Sequence, residues 1–195
     1  MAYKQHFIEW FSGKQLPSYW TTTNISGTNT FAMDDAVDGG FKITTGTGGD
    51  NRGTIKFNGK RQYSNTASVC ISVFKRVTGD TRTWSGFTTA TGDQAVNSGK
   101  LASITDESSQ TYKRAISSDG SALSGIVTTI PTDTSYHSAK VEMRTSDFQA
   151  TIDGSLQVTK STNLPTAKLE PVFGNWNIAS GAKVGHITYM ECYNT

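Results

Sequence analysis

The stretch YHSAKVEMRTSDFQATIDGSLQVTKSTNLPTAKLEPVF, residues 136–173, decides the fold. His137, Ala139, Val141 and Met143 alternate with Ser138, Lys140, Glu142 and Arg144, the two-residue period of a strand with one covered face. Thr145-Ser146-Asp147 offers a reversal, after which Phe148, Ala150 and Ile152 share a face. Asp153-Gly154 then supplies the positive φ angles of a two-residue hairpin turn. Leu156 and Val158 continue the return strand, and Pro165 and Pro171 punctuate the exit. The stretch reads as an antiparallel meander.

The same residues carry a resemblance. His137, the Lys140-Val141-Glu142 strand, the spacing from Phe148 to Ile152-Asp153-Gly154, Asn163-Leu164-Pro165 and Pro171-x-Phe173 resemble the C-terminal half of concanavalin A-like lectin/glucanase jelly rolls. His186 to Tyr193 is similar to that superfamily's closing strand, and Leu16 to Trp20 followed by Gly39 to Ile43 to its opening strands. The resemblance implies an all-β jelly-roll sandwich of two antiparallel sheets spanning residues 1–195. A fold of this kind hosts many functions, so function has to be read from a site.

Composition agrees with a sandwich. A chain of 195 residues with 35% apolar residues and abundant Thr, Ser, Gly and Asn suits one domain with a thin core and polar outward strand positions. The net charge of +2, without basic or acidic runs, argues against nucleic acid and membrane surfaces as partners. Met1 to Trp10 shows no secretory signal, and no segment has the length of a transmembrane helix. Cys70 and Cys192 therefore read as free thiols of a protein made in a reducing compartment. Residues 1–20 are rich in aromatics (Phe7, Trp10, Phe11, Tyr19, Trp20), as in an arm either tied onto its own sandwich or docked on another subunit.

Further along, Asn58-Gly59 reads as a hairpin turn after Ile55 and Phe57, and Ala67 to Val77 as a core strand. Asp93 to Ser98 is a polar loop. Leu101–Ile104 and Tyr112–Ile116 look like paired strands.

Cleaving a glycosidic bond needs two flanking carboxyl groups, about 5–5.5 Å apart for retention of configuration. The Glu-x-Asp-x-x-Glu pattern of the resembled laminarinase-like branch is absent. Glu9, Glu107, Glu142, Glu170 and Glu191 are scattered singly, and adjacent Asp106 and Glu107 would point to opposite faces of a strand. No catalytic residues are assigned. A polysaccharide lyase would need a Tyr or His base beside an Arg or Gln; Tyr112 and Arg114, with Gln110, share a strand face but lack further support. Asp34, Asp35 and Asp38 beside Gly39-Gly40 lack a full calcium ligand set and read as a solvated acidic turn. His6, His137 and His186 are too dispersed for zinc, with His137 expected to pack. No cofactor or metal is expected.

Sugar binding needs an aromatic ring and hydrogen-bonding neighbours. Trp84 with Arg82, and Trp176 with Asn175 and Asn177, are the candidates, placed where the resembled fold has its concave sheet. Tyr112 and Arg114 complete a glycan-binding set. For each tryptophan alone a core role is the competing reading. The expectation is a non-enzymatic virion protein, a phage capsid decoration or tail component, with capsid or tail proteins and glycans as partners and homo-oligomerisation open. A soluble carbohydrate-binding module or lectin is the alternative; a lyase or hydrolase ranks third.

Overall fold

Alternation governs the chain: the computed structural model describes residues 5–34, 39–57, 59, 62–89 and 100–195, which form fifteen strands and no helix. They are β1 (His6–Glu9), β2 (Trp20–Ser26), β3 (Asn29–Met33), β4 (Phe41–Thr45), β5 (Arg52–Phe57), β6 (Ser68–Arg76), β7 (Thr81–Thr88) and β8 (Lys100–Glu107). There follow β9 (Tyr112–Asp119), β10 (Leu123–Pro131), β11 (His137–Met143), β12 (Phe148–Ile152), β13 (Ser155–Lys160), β14 (Glu170–Asn177) and β15 (Val184–Asn194). An eight-stranded sheet runs β13-β12-β11-β6-β15-β4-β3, with β1 added on β15, and a seven-stranded sheet runs β10-β9-β8-β7-β14-β5-β2. Every pairing is antiparallel.

The core lies between the sheets, filled by Phe74, Val141, Phe148, Ile152 and Ile187 from one and Ile55, Phe87, Ile104 and Phe173 from the other. The meander forms as read, with β11 against β12 and β12 against β13. The β12–β13 turn has φ of 50° at Asp153 and 78° at Gly154. Nothing lies within 4 Å of where a Cβ at Gly154 would stand. Gly154→Val should therefore cost only the backbone penalty, about 1–2 kcal/mol. An unchanged Tm in that variant would contradict the turn.

Several expectations need correction. The register shifts between Ala150 and Thr151, so Leu156 pairs with Thr151 and is exposed while Val158 pairs with Ala150 and is buried. The bulge, invisible in the alternation of either strand alone, turns Leu156 outward. Asn58 lies outside the described residues; β5 and the next described strand, β6, belong to opposite sheets and are not hairpin partners. The polar loop 93–98 and the residues Asp35 and Asp38 also lie outside the described residues; Asp34 bonds to Lys42 at 3.0 Å. His137 is a hydrogen-bonding residue rather than a packing one, its two ring nitrogens lying 3.0 Å from Asp133 and 2.5 Å from Asp153.

The N-terminal arm is tied down in cis. β1 pairs with β15, Phe7 opposite Cys192, and Phe7 and Trp20 pack on Phe57 with ring centroids at 4.6 and 4.7 Å. Burying each such ring is worth roughly 2–3 kcal/mol. Cys70 and Cys192 stand opposite one another on β6 and β15 as buried free thiols. Burial pushes the Cys192 thiol well above its ordinary range, so it is a poor nucleophile in the folded protein.

A charged cluster interrupts the core. Asp106 accepts hydrogen bonds from Arg76 Nε at 3.2 Å and Lys113 Nζ at 2.6 Å, all three residues being buried. Arg76 comes from the eight-stranded sheet, Asp106 and Lys113 from the seven-stranded one. Lys113 also reaches Pro131 O and Asp133, at the connection that carries the chain between sheets.

Candidate functional site

In the seven-stranded sheet, Phe87, Ile104, Ala115 and Phe173 face the core, so the intervening residues form the sheet's outer face. Cross-strand register aligns one row of that face: Arg52 on β5, Trp176 on β14, Arg82 on β7 and Glu107 on β8. The guanidinium carbons of Arg82 and Arg52 lie 4.4 and 5.3 Å from the Trp176 ring centroid, one from each neighbouring strand. Such cation–π contacts fix the ring without hydrogen bonds. The buried Trp176 Nε1 has no hydrogen-bond partner.

Arg82 binds Glu107 at 2.8 Å, and Ser109 donates to the other carboxylate oxygen at 2.6 Å. Burial works to raise the Glu107 carboxyl, but the bonds from Arg82 and Ser109 outweigh it, with help from the charges of Arg82 and Arg114, and hold it below the ordinary range. It is an ionised acceptor near neutral pH, unsuited to act as a general acid. Glu170, the other glutamate of this face, pairs with Lys56 at 3.3 Å. On β7 the partner of Glu107 is Arg82 and that of Glu170 is Thr88, six residues on. The two carboxylates thus lie roughly 20 Å apart along the strand direction, well beyond the separation glycoside hydrolysis uses. Among the described residues no group of three or more His, Cys, Asp or Glu side chains is arranged to hold a metal ion.

The sequence-derived set separates into two groups. Arg82 and Trp176 stand together, Arg114 acts on the same Glu107, and Tyr112, half exposed, sits at the margin of the face where β9 meets β10. Trp84 and Asn175 do not belong to an open site. Trp84 lies on the same face but is fully buried, its ring against Gly174, where a Cβ would come 2.2 Å from Trp84 Cζ2. Asn175 shares the face of Phe173 and points inward. Its amide accepts from Thr81 and Thr83 at 2.9 Å and donates to Ile43 O and Lys183 O, bridging the sheets. Both tryptophans lie within strands, Trp84 in β7 and Trp176 in β14. Arg52 and Glu107 were not among the expected site residues. The alternation Arg52, Thr54, Lys56 opposite Ile55 and Phe57 was the available signal for the first.

No protein-family model and no curated protein matches the sequence. Solved structures do match in shape. A Bacillus licheniformis β-glucanase aligns over 97% of this chain and 98% of its own, with TM-score 0.69 and 12% identity. The carbohydrate recognition domain of Emp47p aligns over 97% and 94%, with TM-score 0.65 and 10% identity. The fold is the concanavalin A-like jelly roll. The alginate lyase AlgAT5, of polysaccharide lyase family 7, is a further match, with TM-score 0.62 and 12% identity over 85% of this chain and 82% of its own. At such identities the likeness concerns the jelly roll alone, which serves enzymes and lectins alike.

Proposed function

We propose that the chain is a carbohydrate-binding module without glycan-cleaving activity, holding its ligand on the outer face of the seven-stranded sheet around Trp176. The row Arg52–Trp176–Arg82–Glu107 carries this reading. It offers guanidinium donors, a fixed carboxylate acceptor and a half-buried indole, the groups that hold sugar hydroxyls and pack on a sugar's apolar edge. Among the described residues the row's other carboxylate is Asp50, paired with Arg52 at 3.1 Å, three strands from Glu107 and so on the order of 14 Å away. The carbohydrate-related names of the structural neighbours agree with the ligand class and leave the chemistry open.

Display in many copies, as on a virus particle, is the finer part of the proposal. The row exposes little of itself, Glu107 being 6% exposed, so a ligand makes few contacts with it and affinity per copy is weak. A particle carrying many copies turns such contacts into firm attachment.

On immobilised neutral and uronate-containing glycans, Trp176→Ala and Arg82→Lys should each weaken retention by about tenfold or more, equal to 1.4 kcal/mol, with circular dichroism unchanged. Arg82→Lys keeps the charge and removes the planar fork. Prolonged incubation should release neither reducing ends nor the absorbance of unsaturated uronates. Either product would establish an enzyme, and retention that survives both substitutions would remove this site.

A further inference from the structure

The opposite side of the molecule carries a second aromatic surface. On the outer face of the eight-stranded sheet, a depression of about 800 Å³ is lined by Trp10, Ser12, Val73, Tyr136, Thr188 and Tyr189. That volume is in the range of small-molecule sites. Trp10 is 66% exposed and packs against Tyr189 with ring centroids 4.5 Å apart and ring planes tilted by 54°.

Two backbone irregularities build this surface. In β15 the pairing with β6 slips between Ile187 and Tyr189, so Thr188 is the extra residue of a bulge. Ile187 and Met190 are both in the core. The bulge therefore delivers two consecutive side chains, Thr188 and Tyr189, to the outer face, where regular alternation would have sent Tyr189 inward. At the arm, Phe11 has φ of 21°, a region that bulky residues avoid. This turn buries Phe11 while its neighbours Trp10 and Ser12 stay at the depression. Both departures from regular geometry are at the rim or floor of the same hollow.

The lining decides the ligand class. Among the described residues the lining is ring faces and hydroxyl groups, with charge only behind it, Lys75 Nζ 4.1 Å from the Tyr136 ring centroid and Glu191 on the Tyr189 hydroxyl. Burial, together with a hydrogen bond donated to Glu191 at 2.6 Å, pushes the Tyr189 phenol above its ordinary range, so this hydroxyl stays protonated. Tyr136 Oη bonds to His186 Nδ1 at 2.5 Å, which holds that ring in place. The floor is formed by β6 and β15, central strands whose ladder hydrogen bonds are already made, so an extended peptide finds no sheet edge here. A pyranose ring, apolar on one face and hydroxyl-bearing at its rim, matches rings flanked by Ser and Thr hydroxyls.

We propose that this depression is a second saccharide site, binding neutral pyranoses by stacking on Trp10, independent of the row around Trp176.

The test is titration of the ¹⁵N-labelled full chain with lactose and with cellobiose to about 50 mM, well above the millimolar Kd expected of one exposed sugar site. The Trp10 indole resonance and the amides of Thr188 and Tyr189 should shift and saturate. Trp10→Ala should abolish the amide shifts without lowering Tm, because the ring is largely exposed, and Trp176→Ala should leave them intact. Absence of any shift, shifts that persist in Trp10→Ala, or tighter binding of a uronate-containing disaccharide would each overturn the proposal. So would shifts that follow protein concentration and not sugar, which would mark a self-association face. Failure here leaves the Trp176 site untouched, since that site is read by Trp176→Ala.

Discussion

Asp106→Ala should destabilise the domain by about 3–5 kcal/mol, the cost of breaking a buried ion pair by removing one partner. Asp106 is 1% exposed and lies between Arg76 at 3.2 Å and Lys113 at 2.6 Å. Without it, two buried cations face each other across the sheets. Lys113 keeps Asp133 at 3.3 Å and Arg76 keeps Thr78 O at 3.2 Å, so the lower part of that range is the better expectation. Against a total of about 5–15 kcal/mol for a domain, this is a large share. Urea unfolding followed by circular dichroism reads it directly. Replacing Arg76, Asp106 and Lys113 together by apolar residues should cost much less than Asp106→Ala alone, because no charge is stranded. A loss under about 1 kcal/mol for Asp106→Ala would show that water reaches the cluster and that it is not the staple between sheets.

Local chemistry explains what could be read ahead of the structure. The β11–β12–β13 meander was legible because its alternation, the Asp153-Gly154 turn and short loops all act within a few residues of chain. The pairing of β8 with β9 was legible for the same reason. The placement of β6 in the sheet opposite β5 was not, since nothing in Ile55 to Gly59 states which sheet receives the next strand. The bulges that turn Leu156 and Tyr189 outward depend on two strands at once, so one strand's pattern misplaces both.

The candidate site divides along the same line. Arg82 and Trp176 were found from residue type, but their stacking depends on register between β7 and β14. Asn175 could have been excluded from alternation alone, because Phe173 is an evident core residue and position 175 shares its face. Trp84 could not. Its ring lies against Gly174, some ninety positions away in sequence and brought opposite by the β7–β14 pairing.

That pairing makes Trp84→Ala the other large effect expected. A fully buried tryptophan truncated to alanine should cost about 3–5 kcal/mol, from lost transfer energy and the cavity left behind. Any accompanying loss of glycan retention would then follow unfolding and not the loss of a stacking surface, since Trp84 is 0% exposed. Gly174 supplies the control. A Cβ there would stand 2.2 Å from Cζ2 and 2.3 Å from Cε2 of Trp84, so Gly174→Ala alone overpacks and should cost about 1–3 kcal/mol. In the Trp84→Ala background the same methyl group enters the vacated space, and its effect should become neutral or stabilising. The double variant should thus be more stable than the sum of the two single losses predicts, by about 1 kcal/mol or more, as residues in direct contact couple. Additive losses would mean that Trp84 does not lie on Gly174. If Trp84→Ala left stability intact and removed glycan retention, the ring would have to be an open platform, and the burial described for it would be wrong.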